Sequence, residues 1–188
     1  MFLPTRPTPA EIDRFLANSA GLSLSYELVH ILDAPHARAP VDEALAAIGR
    51  GRDDFIRACE ALRAWKQFDI GWVELHPLGA SIAVGTNVAV LIRHLGFWSL
   101  NGCRVVYDVG DGETGFGYAY GTLPTHAEAG EELFEVTRDP STDVVTYRIR
   151  ATSWPNSLLA RIGLPIARHL QERFRRDSSA AMRRAVLA

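Results

Sequence analysis

The chain has 188 residues, of which 47% are hydrophobic and 22% are charged, and its formal net charge is −2. This length suffices for one domain that buries roughly 70% of its unfolded surface, so its stability needs no metal or disulfide. The near-neutral charge gives no overall field that would attract nucleic acid or an anionic membrane. No apolar run approaches the roughly 18 residues of a membrane span.

Two further features predict a cytoplasmic protein. The N-terminal sequence MFLPTRPTPAEIDRFL lacks the basic and apolar regions of a signal peptide. The two cysteines, Cys59 and Cys103, lie in an apolar helical pattern and a strand pattern, which favours reduced, buried thiols over a disulfide. We expect a single domain with an N-terminal arm and helix over 1–21 and the core of the fold over 22–188. No sequence feature predicts an oligomeric state.

The first predicted elements are a helix and a strand. Thr8 precedes Pro9 and Glu11, so an N-cap residue, a proline at the first helical position and an acidic first turn predict a helix over 9–19. The alternation in LSLSYELVHI predicts a strand over 22–31. The sequence DAPHARAP then reads as a linker.

A helical pattern follows the linker. Apolar residues recur at intervals of three and four from Val41 to Phe68. Because GRG at 49–51 interrupts the pattern, we expect two helices, over about 41–48 and 52–67.

Beyond Gly71 the pattern becomes that of a β-sheet. The links contain glycine, Asn-Gly, Asp-Gly or Asp-Pro and are too short for parallel crossovers, so the strands are predicted to be antiparallel. RDPSTDVV is the clearest hairpin turn. The six predicted strands are GWVELHP, TNVAVLIRHL, FWSLNGCRVVYDV, TGFGYAYGTL, EELFEVTR and DVVTYRIRATSW.

The chain ends in a predicted amphipathic helix over about 156–186, in which Pro165 either causes a kink or begins the main segment. Its apolar stripe consists of Leu159, Ile162, Ile166, Leu170, Phe174 and Ala181. A single sheet with one apolar face must be covered, and only this helix is long enough to cover it. We therefore predict an α+β fold, in which a curved antiparallel sheet of six to seven strands wraps a long C-terminal helix.

This arrangement resembles the START-like helix-grip superfamily, typified by the major birch-pollen allergen and the polyketide cyclase/dehydrase proteins. FGYAYGTLPTHAEAGEELFEV, followed by ATSWP and LPIARHLQERF, resembles more narrowly an uncharacterised bacterial and plant family, the domain of unknown function nineteen-ninety. IGRGRDDFIRACEALRAWKQFDIGWVEL extends the resemblance to most of 40–186. The resemblance implies a helix-grip fold and a hydrophobic or amphipathic small ligand, and it implies no established reaction.

The strand over 115–122 has two different faces. Gly115, Gly117, Ala119 and Gly121 share one face, and Phe116, Tyr118, Tyr120 and Thr122 share the other. Glycine weakens a strand, so three glycines on one face indicate either sharp curvature or the close approach of a helix or a ligand. Either face can be the wall of a cavity.

The turn after this strand carries His126, Glu128, Glu131 and Glu132. A histidine beside carboxylates can act as a general base with an orienting partner, or it can bind a metal. The same residues can also form a solvated turn that Thr125 and Glu128 cap. Because His-x-x-x-His and Cys-x-x-Cys motifs, a pair of Glu-x-x-His motifs and a Gly-x-Ser-x-Gly motif are all absent, we predict no metal, no cofactor and no nucleophile of the hydrolase kind.

Three further features complete the candidate site. Trp154 can close one end of a cavity or pack in the core, and Arg148 can bind an anion if its face of the strand points inward. The arginines of the last helix can bind an anionic partner or form a solvated face; they are Arg161, Arg168, Arg173, Arg175, Arg176, Arg183 and Arg184. The predicted ligand-binding residues are Tyr118, Tyr120, Thr122, His126, Glu128, Glu131, Arg148 and Trp154, with His126 and Glu131 as candidates for catalysis.

Three functions remain open from these residues. The first is a binding protein for a hydrophobic or amphipathic small molecule. The second is an enzyme of the cyclase or hydrolase kind that uses His126 with a glutamate as acid or base. The third is an interaction domain that uses the basic helix. The missing nucleophile and metal motifs favour binding over catalysis, and no aromatic–basic pattern predicts a nucleic-acid partner.

Overall fold

The computed structural model describes residues 2–27, 29–33, 39–156 and 164–188. Its strands are β1 (Phe2–Leu3), β2 (Asp42–Arg50), β3 (Val73–His76), β4 (Asn87–His94), β5 (Phe97–Val109), β6 (Gly115–Thr122), β7 (Glu128–Arg138) and β8 (Val144–Pro155). Its α-helices are α1 (Pro9–Ser19), α2 (Gly51–Arg63) and α3 (Leu164–Leu187), and a 3₁₀ turn covers Lys66–Phe68. None of these helices is both long enough and apolar enough to pass through a membrane.

One antiparallel sheet organises the described residues. Its strand order is β2-β8-β7-β6-β5-β4-β3, with β1 paired to β5. The strands from β3 to β8 form a meander, and β2 returns to pair with β8 at the far edge. This confirms the predicted curved antiparallel sheet with a long C-terminal helix, and the returning β2 supplies the seventh strand.

The two faces of the sheet are covered by different parts of the chain. The inner face packs against α2, the 3₁₀ turn and α3, and its core includes Tyr118, Phe134 and Tyr147 from the sheet with Leu62 and Met182 from the helices. Every one of these side chains is buried because the two helices shield that face from water.

The outer face carries α1 and an irregular segment that we call the strap, residues 22–27 and 29–33. Ile12 of α1 packs on Ala89, Leu91 and Leu100. Leu32 of the strap packs on Tyr107, Ala119 and Leu133. The strap therefore covers the central strands on the side opposite α3.

The helix predicted over 9–19 is confirmed with the expected start. The Thr8 hydroxyl accepts a hydrogen bond from the Glu11 amide at 3.3 Å, and the Glu11 carboxylate accepts one from the Thr8 amide at 2.7 Å. This reciprocal pair is a capping box, which satisfies backbone donors that the first turn of a helix leaves without partners.

Two sequence predictions were wrong. The described part of 22–31, residues 22–27 and 29–31, does not form a strand. Ser25 donates a hydrogen bond to the Thr122 carbonyl, but β5 and β7 already occupy both edges of β6. Residues 42–50 form β2 instead of a helix, because pairing with the edge of β8 outweighs the helix propensity of their alanines. The second predicted helix is confirmed but ends at Arg63.

The C-terminal helix is confirmed from Leu164, with Pro165 as its second residue, a position that proline tolerates. The predictions for Leu159, Arg161 and Ile162, and for the middle of the 33–40 linker, lie outside the described residues. Cys59 and Cys103 are both buried and unpaired, as the sequence predicted.

Candidate functional site

A cavity of about 560 Å³ lies between the inner face of the sheet and the N-terminal half of α3. Its apolar wall comes from Phe68, Trp72, Val90, Ile92, Leu170 and Phe174. Leu95 and Ile166 also border it and are 72% and 45% exposed, so these two residues mark a side on which the cavity meets solvent. The cavity is therefore an apolar space that can be reached from outside.

The main polar feature of the cavity wall is a tyrosine–glutamate pair. Tyr120 on β6 and Glu132 on β7 are register partners, so their side chains leave the sheet together on the inner face. The Tyr120 hydroxyl donates to Glu132 Oε2 at 2.6 Å. Burial raises the pKa of Glu132 to about 7, although the Tyr120 bond and the nearby Arg175 charge oppose this rise. Glu132 can therefore change its charge near neutral pH.

A second carboxyl group, that of Glu128, lies at the first residue of β7, on the same face as Glu132. Gln171 on α3 donates its side-chain amide to both Glu128 oxygens at 3.1 and 3.0 Å, and to Ser153 Oγ at 3.1 Å. Burial raises the pKa of Glu128, while the bonds from Gln171 and Ser153 lower it. This contact joins α3 to β7 and β8 at the edge of the cavity.

His126 borders the cavity and is held by its own turn. Its Nδ1 accepts a hydrogen bond from the Glu128 amide at 2.9 Å, so the proton of the neutral ring lies on Nε2. Burial lowers the pKa of His126 to about 4, and the ring is neutral at physiological pH. The observed partner of the imidazole is the Glu128 backbone rather than a glutamate side chain.

Glu131 has its carboxylate on the outer face. Tyr107 donates to Oε1 at 2.8 Å, and Tyr26 and the His30 amide donate to Oε2 at 2.9 and 3.1 Å. The residue is 2% exposed. Glu131 borders the cavity, as do its neighbours Gly130 and Glu132. Its carboxylate, however, points away from α3 and binds the strap. This arrangement separates Glu131 from His126, the other residue considered for catalysis.

The remaining candidate residues divide between the cavity and other places. Thr122 and Trp154 line the cavity, and the Thr122 hydroxyl also accepts the Gly130 amide at 2.9 Å. Tyr118 lies deeper in the core, where the Gln67 side-chain amide donates to its hydroxyl. Arg148 lies on the outer face, paired with Glu43 and, at 3.5 Å, with Glu135.

The glycines of β6 lie on the outer face, so the tyrosine face forms the cavity wall. A Cβ atom on Gly121 would lie 2.1 Å from the Tyr26 hydroxyl, and one on Gly117 would lie 2.5 Å from the Phe134 carbonyl oxygen. The group that lies close to Gly121 is therefore the strap, and not the helix or the ligand that the sequence suggested. At Gly117 it is the backbone of β7.

The basic residues of α3 are partly engaged within the protein. Arg173 and Arg176 lie 3.3 and 3.0 Å from Asp177, and Arg175 lies 3.6 Å from Asp42. Arg184 donates to the Asp69 carbonyl at 3.2 Å. The arginine-bearing surface of α3 is consequently less cationic than its number of arginines indicates.

Sequence reasoning missed the roles of Glu132, Gln171 and Arg175 in the cavity wall. The signal for Glu132 was available, because it alternates with Phe134 and Val136 on one face of the predicted strand. A glutamate in phase with a buried apolar face indicates a polar group inside the protein. Among the described residues, no group of three or more His, Cys, Asp or Glu side chains is arranged to hold a metal ion.

Comparison with known proteins identifies the family. Residues 25–181 match the family described as Domain of unknown function (DUF1990). The chain belongs to this family. DUF1990 relatives include a UPF0548 protein of Dictyostelium discoideum, 32% identical over 99% of this chain and 96% of the relative. Another is the UPF0548 protein At2g17695 of Arabidopsis thaliana, 30% identical over 79% of this chain and 74% of the relative.

One solved structure shares the fold of the DUF1990 chain. TTHA0849 from Thermus thermophilus matches with a TM-score of 0.54 and 12% identity, over 79% of this chain and 97% of that one. Ara h 8.0201 matches with a TM-score of 0.49 and 12% identity, over 79% of this chain and 98% of that one. The sheet topology and the C-terminal helix confirm the START-like helix-grip fold.

Proposed function

We propose that the protein binds a hydrophobic or amphipathic small molecule in the cavity between the sheet and α3. The observation that carries this proposal is the apolar cavity of about 560 Å³ with the Tyr120–Glu132 pair in its wall. Ligand sites typically measure about 300–1,000 Å³ and combine apolar walls with a few placed polar groups. The proposed site residues are Tyr120, Thr122, His126, Glu128, Glu132 and Trp154.

The packing of the inner face supports a binding role over a purely structural one. Protein interiors are normally close-packed, with few voids larger than a water molecule. Here Phe174 and Phe68 have ring centroids 5.3 Å apart at one side of the cavity, so the core is packed there while the adjacent space stays open. An open apolar space of this size gives a ligand surface to bury.

A cavity-filling substitution tests the proposal. Ala151 lines the cavity on the inner face of β8, and Ala47 is exposed on β2. We expect Ala151→Phe to weaken binding of the neutral apolar probe N-phenyl-1-naphthylamine at least tenfold, and Ala47→Phe to leave it within twofold. Native mass spectrometry of the purified wild type checks for a co-purified molecule. Equal probe binding by all three proteins would contradict the proposed site.

Acid–base catalysis in the same cavity is the second candidate, and the titration of Glu132 favours it. A carboxyl group with a pKa near 7 beside a tyrosine hydroxyl has the protonation range of a general acid or base. Mass analysis of a bound molecule before and after incubation with wild type and Glu132→Gln tests this function. Chemical change with wild type alone would support catalysis, and recovery of the same molecule from both proteins would support binding only.

We also propose that the protein resides in the cytoplasm. Both cysteines are buried thiols without a disulfide, as is usual in a reducing compartment. Fractionation of cells that express the untagged chain tests this location, and recovery from a secreted fraction would contradict it.

A further inference from the structure

The hydrogen-bonding capacity of the cavity wall indicates what kind of polar group a ligand must carry. Two donors at the wall are already bonded to carboxyl groups, the Tyr120 hydroxyl to Glu132 and the Gln171 amide to Glu128. At Glu132, in contrast, the one side-chain hydrogen bond from the described residues is that of Tyr120 to Oε2, and Oε1 receives none from them. The wall therefore retains acceptor capacity at Glu132, which a ligand fills by donating a hydrogen bond.

The charges around Glu132 indicate the sign of that group. Arg175 on α3 is the cation that acts on Glu132, but its guanidinium is paired with Asp42 of β2. The other titratable groups facing Glu132 are Tyr120 on β6, Glu128 on β7, Cys103 on β5, and Tyr118 and Tyr147 in the core below. A ligand carboxylate placed here would add a third acid beside Glu128 and Glu132, which like-charge repulsion disfavours.

We propose that the ligand is an apolar molecule with one protonated amine and that Glu132 accepts this ammonium group. The inference rests on the proposed function and adds the chemical class of the ligand. An ammonium donates up to three hydrogen bonds, and its bond to a carboxylate is about twice as strong as a bond between neutral groups. A neutral alcohol can donate a hydrogen bond to Glu132, but that bond lacks the added strength of a positively charged donor. An ionised carboxylic acid has no hydrogen to donate.

The proposed contact makes binding depend on pH. Because the pKa of Glu132 is about 7, protons compete with the ammonium below that value. Affinity for an amine should rise roughly 100-fold from pH 5 to pH 8, since the ionised fraction of a group with this pKa rises by about that factor. His126 stays neutral over this range because its pKa is lowered to about 4, so it does not oppose the trend.

Three ligands of equal chain length test the proposal: dodecylamine, dodecanol and dodecanoate. The assay measures how each one displaces N-phenyl-1-naphthylamine from the purified protein at pH 8, below the aggregation concentration of that ligand. The variants are Glu132→Gln, which keeps the shape but cannot ionise, and Tyr120→Phe, which removes the donor to Glu132. The control is Glu113→Gln, an exposed position in the β5–β6 turn. Circular dichroism confirms that each variant is folded.

For wild type and Glu113→Gln, we expect dodecylamine to bind at least tenfold more tightly than dodecanol or dodecanoate. Glu132→Gln should bring the amine to the affinity of dodecanol and change dodecanol less than twofold. Tyr120→Phe should keep the amine preference. Three results would overturn the amine proposal without contradicting the cavity as a binding site. They are tightest binding of dodecanoate, equal affinity for all three ligands, and failure of all three to displace a bound probe. Absence of probe binding altogether would contradict the proposed function itself.

Discussion

The Tyr107 hydroxyl and the Glu131 carboxylate lie 2.8 Å apart on the outer face of the sheet, and this contact joins β5 to β7 beneath the strap. Tyr26 and the His30 amide, both in the strap, donate two further hydrogen bonds to the same carboxylate. The ring of His30 also stacks on that of Tyr107, with centroids 4.0 Å apart. One buried acid thus holds an irregular segment against the side of the sheet opposite the cavity.

Replacement of Glu131 should destabilise the fold. Glu131→Ala leaves three donors without their acceptor, so we expect a loss of roughly 2–5 kcal/mol in the free energy of unfolding. Urea denaturation followed by tryptophan fluorescence measures this loss. The matched control is Glu113→Ala at an exposed position, which should cost under about 0.5 kcal/mol. Equal effects at the two glutamates would mean that the carboxylate does not hold the strap.

The close approach of the strap to Gly121 gives a second prediction. Gly121→Ala places a methyl group 2.1 Å from the Tyr26 hydroxyl, so the strap must shift and we expect a loss of about 1–3 kcal/mol. In a Tyr26→Ala background the added methyl should cost much less, because the obstructing ring is gone. A double-mutant cycle by thermal unfolding measures the coupling. Additive losses would contradict the contact.

Phe174 should be the most sensitive position of the apolar stripe on α3. Its ring lies 5.3 Å from that of Phe68 and 6.3 Å from that of Phe134, centroid to centroid. Phe174→Ala should cost roughly 3–5 kcal/mol and Leu170→Ala about 2–5 kcal/mol, as large-to-small core substitutions do. Ile166→Ala on the same helix is the control, because Ile166 is 45% exposed. Chemical denaturation measures these losses in the free energy of unfolding. The same small loss at all three sites would mean that another face of α3 is buried.

The raised pKa of Glu132 predicts how stability depends on pH. Its pKa of about 7 in the folded protein exceeds the ordinary value of 4.5, so its protonation stabilises the fold fully below pH 4.5. That contribution is lost as the pH rises through 7. Wild type should therefore lose on the order of 1–3 kcal/mol relative to Glu132→Gln between pH 4.5 and 8.

Urea denaturation of both proteins across this pH range tests that prediction. The pKa of His126, lowered to about 4, makes both proteins less stable as the pH falls from 6.5 to 4, and this effect cancels in the difference between them. A difference that does not vary with pH would mean that Glu132 titrates normally.

The sequence by itself determined the strands from β3 to β8, the start of α1 and the amphipathic C-terminal helix. In each of these elements the local sequence pattern matches the place that the element takes in the folded protein. Turn residues separate the strands, Thr8 and Glu11 cap α1, and the stripe through Leu170 and Phe174 packs on the core. The helix-grip architecture follows, because a sheet with one apolar face and a single long helix have one common way to bury both.

Only the tertiary structure decided β2, the strap and the faces of the site. Ala44 and Ala46 have helical propensity, but their partners Ile149 and Tyr147 at the edge of β8 lie about a hundred residues away along the chain, and no local pattern encodes that pairing. Glu131 and Glu132 are neighbours of identical chemistry. The pleat of β7 sends one carboxyl to the strap and the other to the cavity, and which face lies inward depends on what packs against each side.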